Sequence, residues 1–184
     1  VISLTAILLA IGIPSFTSFI ARRTVSANVS EMVGSMRLAR VEAIKRGAPV
    51  TLCRSEDATD ASPECSNDKA GDWAQGWIVF VDRGNRGELG DSDVVIRVQA
   101  AMPESGEITR NGNDPITFLP SGLSPGMAGN FLFRPKLDPS SSEYDTFAKQ
   151  ILNTNTGSLR IEDGAPKAKE APPGGDTSGE GSAS

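Results

Sequence analysis

The stretch VISLTAILLAIGIPSFTSFIARRTVSANVSEMVGSMRLARVEAIKRG, residues 1–47, decides the fold. Its pattern predicts one long helix in two halves, apolar on nearly all sides over residues 1–20 and amphipathic over residues 21–47. At about 1.5 Å rise per residue, such a helix would be roughly 70 Å long. Because that length exceeds the diameter of a domain of this size, we expect the helix to extend beyond the domain that it supports.

The amphipathic half carries a stripe of apolar residues that predicts a packing face. The spacings within this inner stripe alternate between four and three, which is the period of one side of a helix. Val33 and Ile44 are expected to widen it. The inner stripe consists of Val25, Val29, Met32, Met36, Ala39 and Ala43.

Two prolines bear on the course of the helix. Lys45 and Arg46 would lie in its last turn, Gly47 fits the left-handed position after it, and Pro49 cannot continue it. Pro14 falls inside the apolar half, where a proline removes one backbone hydrogen bond. Since the apolar pattern continues past Pro14, we expect a bend there and not a helix end.

The side of the helix opposite the inner stripe is also partly apolar. We predict that this side, the assembly face, meets other helices in an assembly. The alternative is an ordinary surface, since isolated exposed apolar residues are common. The assembly face consists of Ala27, Gly34, Leu38 and Val41.

Composition excludes several functional classes. The 184-residue chain has a net charge of −5 and no histidine, so the commonest general base and metal ligand is missing. It also lacks the G-x-S-x-G, P-loop and G-x-G-x-x-G motifs. We therefore expect no enzyme, no cofactor and no metal. The acidic balance is not that of a dedicated nucleic-acid binder.

One oxygen-rich turn, residues 82–93 (DRGNRGELGDSD), invites comparison with a calcium loop. It fails the EF-hand pattern because Gly84 and Arg86 occupy expected ligand positions. A polar hairpin loop is the preferred interpretation.

Cys53 and Cys65 flank a polar loop. An anchored, exported domain would meet an oxidising compartment, so we expect a disulfide between them. The alternatives are two free thiols or half of a metal site, although two cysteines without histidine make a poor zinc site.

The chain beyond Gly47 predicts short strands separated by turn signals, and hence antiparallel sheets covered by the helix. Residues 78–81 are the strongest strand and should be buried on both faces, with residues 94–99 as their antiparallel partner. Trp73 and Trp77 flank the start of this strand and could form an exposed contact surface, but for Trp77 we expect a position in the core. The other strands are predicted at residues 50–53, 116–119, 131–133, 147–152 and 159–161, the last two forming a closing hairpin.

Four segments follow from these patterns. We expect residues 1–20 to be a membrane or filament half-helix, residues 21–47 the amphipathic half-helix, and residues 48–161 a β-rich globular domain. The alternative for residues 1–20 is the tail of a secretory signal or a buried core helix. Residues 162–184 are rich in glycine, proline, serine and charge, which predicts a disordered tail. The fold class is therefore α+β.

Four motifs in this order resemble the GspH/FimT family, which comprises minor pilins of type IV pili and minor pseudopilins of type II secretion. The resemblance covers about residues 1–161. The motifs are AIGIPSF (residues 10–16), LARVEAIKRGAPVTLC (residues 38–53), WAQGWIVFVD (residues 73–82) and ITFLPSGL (residues 116–123).

This resemblance implies a long N-terminal helix packed on a β-rich domain with two antiparallel sheets. It matches Pro14 to the family's kink-forming proline. It further implies a leader cleaved before a Phe-Thr-Leu-Ile-Glu segment, which would lie just upstream of Val1, so an N-terminal truncation is expected. The glutamate of that segment normally pairs with a neighbouring subunit's N-terminus during assembly.

The expected function is that of a minor pilin of the type IV pilus, of the FimT type. Its partners would be other pilins in a filament or an initiation complex. Before assembly it would be held in the inner membrane with its domain in the periplasm. One alternative is a GspH-type minor pseudopilin of type II secretion, and another is a DNA-binding minor pilin for natural transformation.

The resemblance also points to a DNA site to be tested. Some family members bind DNA through a Gly-Arg-x-Arg pattern, which here becomes Gly157-Ser158-Leu159-Arg160, so the first arginine is lost. Each lost phosphate contact weakens binding. A small basic patch remains possible, or else these are solvated strand charges. The candidate contacts are Arg134, Lys136, Lys149 and Arg160.

Overall fold

Helix α1 spans Ile2–Arg46 and is followed by two sheets. The structure, a computed structural model, describes residues 2–166 except residues 67, 69, 70 and 113, and it describes side chains from Phe16 onward. The strands in that part are β1 Val50–Arg54, β2 Trp77–Val81, β3 Val94–Gln99, β4 Ile108–Gly112, β5 Ile116–Phe118, β6 Gly129–Phe133, β7 Lys149–Asn153 and β8 Leu159–Asp163. A 3₁₀ turn, Trp73–Gln75, precedes β2, and a short helix α2, Ser142–Thr146, precedes β7.

The two sheets confirm the predicted α+β class. Their strand orders are β3-β2-β1-β5 and β4-β6-β7-β8, and every pairing within them is antiparallel. Helix α1 contacts strands of both sheets. The helix therefore serves as the common cover of the two sheets.

The inner stripe of α1 is buried along its whole length. Its six members are at most 3% exposed and belong to the main core, together with Val33. Ile44 was expected to widen the stripe, and this prediction was wrong because its side chain is 53% exposed. Ile44 lies in the last turns of the helix, where its Cδ1 approaches the turn at Gly122 instead of the core.

A buried hydrogen bond fixes the helix against the first sheet. The indole Nε1 of Trp77 donates to Ser35 Oγ over 2.9 Å, and both residues are fully buried. An indole N–H left without an acceptor in the core would carry a desolvation cost. Trp73 is 1% exposed and meets Phe131 edge to face at 5.0 Å, so both tryptophans occupy the core, as was predicted for Trp77.

Strand β2 is buried on both faces, as its continuous apolar sequence predicts. Val79 and Val81 pack in the main core under α1, whereas Ile78 and Phe80 pack in a second cluster on the outer side. This outer cluster also contains Cys53 and Ala58, with Cys65 and Leu89 packed against it.

The loop after β1 covers the outer cluster and is held down by a disulfide and an arginine. Cys53 and Cys65 are joined, with their Cα atoms 5.6 Å apart. The neighbouring Arg54 side chain is only 3% exposed and donates to Glu56 Oε1 at 2.9 Å, to Ser66 and to the Asp68 carbonyl. The disulfide places Cys65 against the outer cluster, in which Ile78 and Phe80 are completely buried.

The closing hairpin extends beyond its predicted end. Strand β8 runs to Asp163, and the amides of Gly164 and Ala165 donate to the carbonyls of Ala148 and Asp145. The boundary predicted at residue 162 was therefore too early, because backbone pairing continues through a polar sequence. The rest of the predicted tail, residues 167–184, lies outside the described residues, and the bend at Pro14 stays a prediction although α1 continues through it.

Truncating the inner stripe should destabilise the whole fold. We expect Met36→Ala to lower the free energy of unfolding by about 2–5 kcal/mol, because Met36 is completely buried beneath both sheets. Val41→Ala, on the same helix at a residue 57% exposed, should change it by less than about 0.5 kcal/mol. Urea denaturation of the full chain measures both, and equal effects would contradict this packing.

Candidate assembly surface

The predicted assembly face lies on the side of α1 that the sheets leave uncovered. Ala27 and Val41 are exposed, and Gly34 and Leu38 are half-buried. Ala27, Gly34 and Val41 follow one another at steps of seven residues, which is nearly two helical turns. These residues therefore form one line along the helix.

This line continues toward the N-terminus through a residue that the sequence did not single out. Ile20 precedes Ala27 by seven residues, and its side chain is 48% exposed. Phe16 and Phe19 are 65% and 53% exposed on the same part of the helix. The seven-residue spacing was the available signal, but the surrounding run of apolar residues obscured which of them were turned outward.

Gly34 lies at the centre of the line, and contacts within the chain do not explain why this position is a glycine. A Cβ added there would come no nearer than 3.8 Å to its closest neighbour, the Nη1 of Arg97, which is ordinary van der Waals contact. Glycine within a helix costs about 0.5–1 kcal/mol relative to alanine. The packing of the isolated chain would thus accept alanine, which would also be the better helix former.

Charged side chains border the assembly face. Arg97 of β3 pairs with Glu31 of α1 at the level of Gly34. Near the C-terminal end, Arg46 hydrogen-bonds to Glu42 and thereby lowers the pKa of that carboxyl, which keeps it ionised. A line of small and apolar side chains with a charged border has the arrangement of a protein–protein contact.

Two of the four candidate DNA contacts, Lys149 and Arg160, lie on different faces of the second sheet. Lys149 pairs in register with Asp163, and Arg160 pairs with Leu152, three residues beyond Lys149. Since side chains alternate between the faces of a strand, Lys149 and Arg160 lie on opposite faces of the sheet. The sequence could not reveal this separation, because the register between β7 and β8 decides which face each residue occupies.

Each of these cations also has a carboxylate beside it. Such pairing reduces the positive potential that phosphate would require. The pairs are Arg134–Glu107 at 3.6 Å, Lys136–Glu104 at 3.5 Å, Arg160–Glu162 at 3.1 Å and Lys149–Asp163.

The turn from residue 82 to residue 93 uses its carboxylates to hold its own backbone. Asp82 Oδ2 accepts from Thr51 Oγ1 at 2.8 Å and from the Gly87 amide at 2.7 Å. Asp93 accepts from the amides of Arg83 and Gly84. Across the described part of the chain, no three or more acidic, histidine or cysteine side chains come together as a metal site.

Within the described residues, no helix has both the length and the apolarity needed to cross a membrane.

Comparisons with known proteins agree with the fold. The family described as type II transport protein GspH matches residues 28–165. The crystal structure of the type IV minor pilin FimU from Pseudomonas aeruginosa is 14% identical and superposes with a TM-score of 0.52, covering 74% of this chain and 91% of that chain. A comparison with curated protein sequences found no match.

The likeness to FimU shows the shared architecture of a long helix on two antiparallel sheets. The family match extends over most of the chain, from the middle of α1 to just past β8. The chain therefore belongs to the GspH family, as the four sequence motifs predicted, and is a pilin-like protein of the minor pilin and minor pseudopilin kind.

Proposed function

We propose that this chain is a minor pilin of the type IV pilus, of the FimT type, which enters an initiating complex or filament by helix packing. The neighbours would be the helices of other pilin subunits, seated along the assembly face. The observation that carries this proposal is Gly34, a helix-interior glycine that the chain's own packing does not require.

Close approach of another helix would explain the glycine at position 34. Small residues at a helix–helix contact let the two backbones come near each other, which increases the contacts between their other side chains. Ala27, one heptad away, extends the same narrow line. The about 0.5–1 kcal/mol that glycine costs the isolated helix would be offset only in the assembled state.

The large exposed side chains support the same proposal. Phe16, Phe19, Ile20 and Val41 are each about half exposed or more, and all lie on α1. Fully covering a side chain of this size contributes about 1.5–3 kcal/mol. A neighbouring helix along this line would cover several of them at once.

In this mechanism, one side of α1 stabilises the fold and the opposite side contacts neighbouring subunits. The inner stripe holds α1 to the two sheets, and the Trp77–Ser35 hydrogen bond helps to fix its position on them. The assembly face is thereby presented in a fixed orientation. Binding a neighbour then requires little ordering of the helix, which limits the entropic cost of association.

Before assembly, the apolar residues 1–20 would hold the subunit at the inner membrane with its domain in the periplasm. A disulfide between Cys53 and Cys65 suits that oxidising compartment. The globular domain would supply side-to-side contacts, capping or adhesion.

A minor pseudopilin of type II secretion is the second candidate, favoured by the description of the matching family. It would assemble by the same helix packing. Deleting the gene separates the two: loss of piliation supports the first, whereas loss of type II secretion with normal pili would replace it by the second.

Bulk at Gly34 should block assembly without unfolding the domain. We expect full-length Gly34→Leu to keep its unfolding free energy within about 1 kcal/mol, because a Cβ at this position meets only the flexible end of Arg97, at 3.8 Å, in the single chain. Complementation of a deletion strain should nevertheless fail when pili are counted. Gly34→Ala is the matched control, expected to fold slightly more stably and to retain more assembly than leucine does. Normal piliation by the leucine variant would contradict the proposed contact.

DNA uptake is not the function we favour, and a titration tests it. We expect the full chain to bind duplex DNA weakly at low salt and Arg160→Ala to leave that binding unchanged, because Glu162 lies 3.1 Å from the Arg160 guanidinium. Glu162→Gln removes that carboxylate and serves as the comparison. Tight, salt-dependent binding that disappears in Arg160→Ala would restore the DNA-binding candidate.

A further inference from the structure

We propose that a cationic cleft between α1 and β7 binds the phosphate headgroups of anionic phospholipids while the subunit waits at the membrane. This inference rests on the proposed membrane-held state. The basal cleft, as we name it, has a volume of about 400 Å³ and is lined by Phe19, Arg22, Arg23, Ser26 and Lys149.

Positive charge predominates in the basal cleft. Three cations line it, two from α1 and one from β7. The hydrogen bond from Lys149 lowers the pKa of Asp163, as does the nearby charge of Arg22. Glu143 of α2 is engaged by Ser18, whose hydroxyl donates to it over 2.6 Å. Three cations against these two carboxylates leave a net positive charge.

Aromatic rings hold the two arginines in place. The Arg22 guanidinium lies 5.7 Å from the centre of the Phe147 ring, and that of Arg23 lies 5.1 Å from the centre of the Phe19 ring. Among the residues whose side chains are described, neither arginine forms an ion pair with a carboxylate within 4.0 Å. A stacked guanidinium keeps its N–H edge available, which is the edge that recognises phosphate oxygens.

The apolar side chains beside the cleft indicate a lipid and not a free phosphate. Phe16, Phe19 and Ile20 are exposed immediately before the arginine pair. From Ile20 to Arg23 the helix rises by about 4.5 Å along its axis. Apolar side chains can thus enter the acyl boundary while guanidinium groups stay level with the headgroups, as in interfacial helices. A site for free phosphate would have no use for this apolar border.

Vesicle flotation of the full chain tests the proposal. Wild-type protein should prefer vesicles of equal parts phosphatidylglycerol and phosphatidylcholine over vesicles of phosphatidylcholine alone. Each arginine near an anionic surface contributes about five-fold to binding, so Arg22→Gln/Arg23→Gln should lower that preference about 25-fold at low salt. Retention of the preference by this double variant would overturn the proposal.

The matched control is Arg83→Gln/Arg86→Gln, which removes the same charge from two exposed arginines near Gly47. This end of α1 lies about 36 Å from Arg22 along the helix, at 1.5 Å per residue. The control should keep the preference, and an equal loss would show a response to overall charge and overturn the site. Displacement by inorganic phosphate at constant ionic strength would also overturn it, in favour of a free-phosphate site.

Failure of the proposed function would be detected by different measurements from failure of the lipid site. Binding to neutral vesicles reports the apolar half of α1, and piliation reports the assembly face. Loss of the headgroup preference with normal piliation in the double variant supports a separate lipid site.

Discussion

Burial of the inner stripe of α1 against two sheets is the interaction on which the rest of the structure depends. The two sheets interleave in sequence, since β4 of the second sheet precedes β5 of the first, and they share the helix as their cover. Apolar burial has no direction of its own, so the Trp77–Ser35 hydrogen bond adds the positional information that packing alone lacks. With one side of the helix fixed in this way, the orientation of the other side follows from helical geometry.

We propose two functions for the exposed side of α1, at two different positions along the helix. Gly34 and Ala27 form a narrow line along the part of the helix that the domain supports, where a neighbouring helix can approach closely. Arg22 and Arg23 lie nearer the N-terminus, beside exposed phenylalanines. In the proposed sequence of events, headgroups occupy the arginines before assembly, and subunit helices cover the apolar line afterwards.

Periodicity predicted the fold well because the buried elements are apolar at the period of their secondary structure. The inner stripe and strand β2 are examples, since all six members of the stripe and all residues of β2 are buried. Strand β8 was predicted too short because backbone pairing continues where the apolar pattern stops. Helix α2 was missed because a short turn of helix needs no apolar pattern. The exposure of Ile44 shows that the edge of the inner stripe depends on where the sheets end, which periodicity does not reveal.

The candidate DNA residues could not be judged from the sequence for a different reason. Lys149 and Arg160 are separated onto two faces by strand register, and their carboxylate neighbours come from across the hairpin or from the same strand. The basal cleft was missed for a related reason, because Arg22 and Lys149 meet only when α1 lies across β7. Charge patches are properties of the assembled surface, whereas an amphipathic stripe is already present in one segment.

In the proposed function, the assembly face of α1 contacts neighbouring subunits. Photo-crosslinking in cells measures it most directly, with the reactive residue placed at Ala27 or Val41 and, for comparison, at Arg160 on the outer face of the second sheet. We expect crosslinks to other pilin subunits from both helix positions. Crosslinks from Arg160 alone, with none from either helix position in assembled material, would contradict the proposed contact.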